Sequence, residues 1–195
     1  MKSSRLVVAR VAFVLVVAEV LLILLSWLLS AMNVEGVRPL LSSEGARWFL
    51  SRFASFVGAP WLAWLLVGAM AWGCLRGSSL LATIGRKDHR GATIFAAVLL
   101  ALFSGFLLWL VAAPHATLLS ATGSLWPSPF SSALVPLLAL GVIIVCGGYG
   151  VACRAFTSLT DLCHSFVQGI AAAAPIFFLY VLFIQFLESL RYAFF

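Results

Sequence analysis

From Val11 to Met32 the chain carries only Glu19, Ser26 and Ser30 among apolar residues. At the helical rise that stretch reaches about 33 Å, enough to cross the hydrocarbon core of a bilayer. Three further apolar runs predict helices over about 57–75, 92–113 and 133–152. Pro60 falls near the start of the first of these, where a missing N–H costs nothing. The last helix is expected to begin near Leu159, because Ser158-x-x-Asp161 has the pattern of an N-cap with an acidic residue at N3. It continues to the C-terminus. Pro175 is expected to kink or split it, with the spanning part at about 171–193.

One stretch has a different rhythm. Residues 33–56 hold Glu35, Arg38, Glu44, Arg47 and Arg52 among aromatics, with Phe49, Phe53 and Phe56 at i, i+4 and i+7. This predicts an amphipathic interfacial helix over about 43–56, lying on a membrane or packed against a bundle. The pattern as a whole predicts an all-α, polytopic helical membrane protein with about five transmembrane helices plus that interfacial helix, in a single membrane domain over 1–195.

Composition strengthens this picture. Hydrophobic residues make up 64% and charged ones 9%, and the mean hydropathy is +1.14. A chain of this size cannot hide that much apolar surface in water, so the surplus must face lipid. The net charge of +6 raises the question of nucleic acid, but the Lys and Arg residues are scattered between apolar runs and follow the positive-inside pattern instead. With the N-terminus in the cytoplasm, Lys2, Arg5, Arg10, Arg76, Arg86, Lys87, Arg90 and Arg154 lie inside, and Arg38, Arg47, Arg52 and Arg191 outside. The first apolar stretch has no clear small-residue cleavage site and reads as an uncleaved span.

Few residues offer chemistry. Glu19 sits about 12 Å along the first helix, where a charge is costly without a partner. It is a candidate for proton coupling or substrate contact; the alternative is an interhelical hydrogen bond or a side chain snorkelling to the nearer interface. Gln185 in the last span is the second candidate, as pathway lining or as an interhelical hydrogen-bonding group, and Glu188 and Arg191 can pair at i, i+3. Gly73 and Gly77, and Gly147, Gly148 and Gly150, predict smooth helix faces for close packing. Gly147 and Gly148 also offer a place where the helix breaks and frees carbonyls. Cys74, Cys146, Cys153 and Cys163 read as small hydrophobes, and His89, His115 and His164 share no ligand spacing, so no metal site is expected. The chain lacks a P-loop, G-x-S-x-G, H-E-x-x-H and G-x-G-x-x-G, which argues against an enzyme, a cofactor and an ATP-driven pump.

Two regions resemble a known family. Ser43-Glu44-Gly45-Ala46-Arg47-Trp48, Phe56-Val57-Gly58-Ala59-Pro60 and Gly73-Cys74-Leu75-Arg76-Gly77-Ser78-Ser79-Leu80-Leu81 are similar, in order and spacing, to the N-terminal region of the p-aminobenzoyl-glutamate transporter family. Gly147-Gly148-Tyr149-Gly150, Ser158, Asp161 and Phe183-Ile184-Gln185-Phe186 resemble its C-terminal region. The resemblance implies an oligomeric secondary transporter, or a subunit of one, in the bacterial inner membrane, driven by an ion gradient and acting on a small aromatic carboxylate. Family members are much longer, and their substrate-binding middle has no counterpart between Arg90 and Ser132. A non-transporting scaffold that keeps the family's packing surfaces is the alternative.

Overall fold

The structure is a computed structural model, and it describes residues 2–34, 36–83, 89–112 and 129–195. Among these, all regular structure is helical: α1 (Lys2–Ala31), α2 (Ser43–Val57), α3 (Pro60–Gly77), the single turn α4 (Leu80–Thr83), α5 (Arg90–Ala112), α6 (Pro129–Ala152) and α7 (Leu159–Phe194). Five helical stretches are long and apolar enough to cross a membrane: Leu6–Ala31, Ser43–Thr83, Arg90–Leu110, Ala133–Ala152 and Leu159–Phe194. The basic turn with Arg86, Lys87 and Asp88, and the connection containing His115, lie outside the described residues.

Local chemistry sets the helix ends. Beyond α1, Asn33 takes a left-handed conformation (φ +54°), which a short polar side chain tolerates, while Val34 N–H closes onto Leu29 O at 3.2 Å. Ser42 caps α2 by accepting from Gly45 N–H at 3.0 Å and donating to Pro39 O at 2.8 Å. Ser42→Ala should therefore cost about 1 kcal/mol, measured as a lowered unfolding midpoint in detergent. Gly58 closes α2 onto Ala54 O at 2.9 Å, and Pro60 then opens α3 at its first position, where its missing N–H is harmless. At α7, Asp161 Oδ2 accepts from Thr157 N–H, Thr157 Oγ1–H and Ser158 N–H at 2.9, 2.8 and 3.0 Å, which is the start anticipated from Ser158-x-x-Asp161.

Two expectations change. α7 is continuous through Pro175 over 36 residues, rather than split before a spanning part at 171–193. Proline removes one backbone hydrogen bond, and the run Ala171–Ala174 before it consists of the best helix former with little bulk to crowd the ring. α6 is likewise unbroken at Gly147 and Gly148, so their carbonyls stay within the helix.

The described residues gather into two compact units, 1–63 with 174–195, and 64–173. α3 and α7 contribute residues to both. In both units many of the buried side chains are small while many large apolar ones are exposed, although Leu22, Tyr149 and Phe156 are buried as well. In the first, Ser26 and Ser189 are buried with Ala12, Leu22 and Ala193, while Phe13 is 70% exposed. In the second, Ala69, Ala71, Cys74, Ser78, Ala92, Ala96 and Ser165 are buried, while Leu102, Leu108 and Trp109 are about two-thirds exposed. Small and hydroxyl side chains at helix contacts with large apolar ones outside is the packing that lipid selects, since burying Leu or Phe gains nothing when the solvent is itself apolar.

Candidate functional site

In the first unit, α1 turns one face inward. Ala12, Glu19 and Ser26 recur every seven residues, with Leu22 between them, and all are buried or half-buried. That spacing follows from the helical period. Ser26 Oγ donates to Ile23 O at 2.9 Å and accepts from Leu40 N–H at 3.3 Å, which ties the segment before α2 to α1. Two turns earlier, Glu19 Oε1 accepts a hydrogen bond of 2.7 Å from Ser189 Oγ–H on α7. Glu19 Oε2 is buried and has no hydrogen-bond donor.

Gln185 stands four residues before Ser189, on the same side of α7, and is half-buried. The structure thus brings Glu19 to Ser189 and places Gln185 one turn away. Ser189 was not singled out from the sequence; the i, i+4 spacing from Gln185 was the available signal. The charged residues of α7 beside it occupy each other, since Arg191 Nη1 lies 3.4 Å from Glu188 Oε1, with Arg191 largely exposed. Neighbouring contacts fix this end of α7: Trp48 stacks on Tyr192 with centroids 4.3 Å apart, Arg38 N–H donates to Ala193 O at 3.0 Å, and Tyr180 O–H reaches Val57 O at 3.5 Å. An open depression of about 240 Å³ in this unit is lined by Trp27, Ser30, Ala31, Pro39, Leu41 and Ser42, and does not include Glu19 or Gln185.

The Glu19 carboxyl uses only part of its hydrogen-bonding capacity, since Oε1 has one donor and Oε2 has none. Oε2 can accept a proton, a cation or a ligand's N–H or O–H. This is the one place among the described residues where a buried side-chain oxygen or nitrogen stands unpartnered.

The second unit is built on glycine. A Cβ on Gly73 would collide with Ser165 O and stand 2.8 Å from the backbone of Gly169; one on Gly169 would collide with Ala69 O. α3 and α7 therefore cross backbone to backbone along Ala69-x-x-x-Gly73-x-x-x-Gly77 and Ser165-x-x-x-Gly169. Gly77 and Gly150 make room for the ring of Phe156, Gly148 for Leu99 and Phe95, whereas Gly147 has ordinary clearance from Leu162. Gly169 and Phe156 were the partners that the reading of Gly73, Gly77 and Gly150 lacked.

Tyr149, fully buried, bonds to Thr83 Oγ1 at 2.8 Å. Thr83 spends its one proton on Ser79 O, so Tyr149 is the donor. Cys74 Sγ–H points to Ile143 O at 3.8 Å, and Cys153 Sγ lies 3.8 Å from Ser78 O; both behave as small buried hydrophobes with weak donors. Among the described residues no three His, Cys, Asp or Glu side chains come together.

No protein-family profile matches this chain, and no curated protein or solved structure is found similar to it.

Proposed function

We propose that this chain is a polytopic protein of the bacterial inner membrane, with its N-terminus in the cytoplasm, and that it works as a reduced, ion-gradient-driven secondary transporter or as a subunit of one. Support for the membrane location is the packing, with serine, alanine and glycine at many helix contacts and Phe13, Leu102, Leu108 and Trp109 outward. The observation that carries the transport reading is Glu19 Oε2, buried within an apolar helix and lacking a donor, since an intramembrane carboxylate of this kind is a default functional group. In this reading Glu19 meets the coupling ion, Ser189 orients it, and Gln185 supplies an amide to the substrate. The resemblance to p-aminobenzoyl-glutamate transporters suggests a small aromatic carboxylate as that substrate, and a second copy or a partner subunit to complete the pathway. The tight crossing of α3 and α7 at Gly73 and Gly169 favours a second reading, a non-transporting scaffold.

Uptake by proteoliposomes separates the two. Accumulation of p-aminobenzoyl-glutamate that requires a proton gradient is the expected result. No accumulation with or without the gradient would remove transport of that substrate and leave the scaffold. Release of the protein from membranes by alkaline carbonate would overturn the membrane assignment itself.

A further inference from the structure

Glu19 binds across from α1 to α7 through one oxygen only. Oε1 accepts from Ser189 Oγ–H at 2.7 Å, and Ser189, with a single hydroxyl proton, has none left for Oε2. Oε2 is buried without a partner. Among the described residues no charged group bonds to this carboxyl. α1 carries no other ionisable side chain from Val11 to Ala31, and Arg10 is exposed. On α7, Glu188 and Arg191 engage each other, Tyr180 O–H reaches Val57 O and Tyr192 stacks on Trp48. Arg38, Glu44, Arg47 and Arg52 are exposed.

These surroundings discriminate between the ions that such an oxygen could hold. A hard metal cation gathers about six or more oxygens. Transporters that bind Na+ inside the membrane supply many of them from the carbonyls of unwound helices. α1 runs unbroken from Lys2 to Ala31 and α7 from Leu159 to Phe194, so the carbonyls at this level stay in their helical ladders. No second acidic side chain assists, since among the described residues no three His, Cys, Asp or Glu come together. What remains is the two carboxyl oxygens and Ser189 Oγ, with the Gln185 amide one turn farther along α7. That is too few for a coordination shell. A proton needs one lone pair and no shell.

We infer that the ion Glu19 takes is a proton rather than a metal cation, and that it binds at Oε2. One O–H bond forms at Oε2, hydronium from the aqueous phase gives up that proton and is left as water, and the carboxylate charge is cancelled. Ser189 Oγ–H stays on Oε1 in both forms. It keeps α1 and α7 tied and leaves the other oxygen open for the proton, so Ser189 is a positioning residue. This inference rests on the reading of Glu19 as the ion site and narrows the ion to one that needs no coordination shell.

Infrared difference spectroscopy on the full chain in nanodiscs, between acid and alkaline buffer, reads the proton directly, because a protonated carboxyl has a C=O stretch that a carboxylate lacks. Wild type should show one such band that is missing from Glu19→Gln and that shifts in D2O. The other carboxyl groups contribute to both spectra and cancel. Glu19→Asp, which keeps a carboxyl on a shorter stem, should retain a band at a shifted frequency, so the assignment does not depend on one variant folding. Exchanging potassium salt for sodium salt should change nothing. Ser189→Ala should keep the band and move it to higher wavenumber, because the C=O at Oε1 loses the hydrogen bond it accepts. Identical spectra for wild type and Glu19→Gln would overturn the proton site. So would loss of the band in sodium, which would put a metal cation there. An unmoved band in Ser189→Ala would overturn the assignment to Oε2. The uptake assay keeps this apart from transport: a Glu19 band without gradient-driven uptake leaves the proton site and removes the transporter, while uptake without a Glu19 band does the reverse.

Discussion

Gly169→Leu should destabilise the protein by about 3 kcal/mol or more, the upper range for overpacking a tight contact. The reason is that the collision is with backbone. A Cβ at Gly169 would overlap Ala69 O and lie 2.7 Å from Gly73 Cα, and one at Gly73 would overlap Ser165 O. Side chains can rotate away from a clash, but two helices can escape this one only by separating along their whole crossing, which exposes Ser165, Gly73 and Gly77 together. Even Gly73→Ala should be costly, although alanine is the better helix former by about 1 kcal/mol. Gly68 on the same helix provides the control, because a Cβ there meets nothing within 4 Å; Gly68→Ala should be neutral or mildly stabilising. Unfolding midpoints in detergent for the three variants measure this. A Gly169→Leu midpoint equal to wild type would mean that α3 and α7 do not cross as described.

The second large effect is expected at Glu19, where function and stability should move apart. Glu19→Gln keeps an oxygen to accept from Ser189 Oγ–H but replaces Oε2 with an amide that cannot hold a proton or a cation. Gradient-driven uptake should fall by at least about tenfold, equivalent to about 1.4 kcal/mol, with little change in the unfolding midpoint. Glu19→Leu should abolish uptake and also cost about 1–3 kcal/mol, because it leaves the buried Ser189 Oγ–H without its acceptor. Ser189→Ala should behave differently. It leaves Glu19 Oε1 buried with no donor, at a cost of about 1–3 kcal/mol, and weakens uptake less than Glu19→Gln. If Glu19→Gln transports like wild type, the carboxylate is only a packing group and the scaffold reading gains.

How much of this was legible beforehand varies with the range of the interaction. A helix was expected at about 43–56 and one runs over Ser43–Val57, and the start of α7 falls where Ser158 and Asp161 placed it, because helical period and capping are properties of a few neighbouring residues. Of the kink or split expected at Pro175, the split is absent, for a reason that is also local but finely balanced: one lost hydrogen bond against the helix-forming run before it. The glycines at 73, 77 and 150 were visible as smooth surface, yet what each faces was not. Ser165, Gly169 and the Phe156 ring reach them from parts of the chain whose approach no local pattern encodes.

By itself, then, the sequence determined that the chain is helical, where most helices run, and that its outer surface is apolar, since these depend on composition and on periodicity within one helix. Only the tertiary structure decided that Glu19 meets Ser189, 170 residues away, rather than Gln185, and that its second oxygen is left without a donor. Which residue of α7 faces α1 depends on how far each helix is rotated about its axis, and that rotation is set by the sum of packing contacts along both helices.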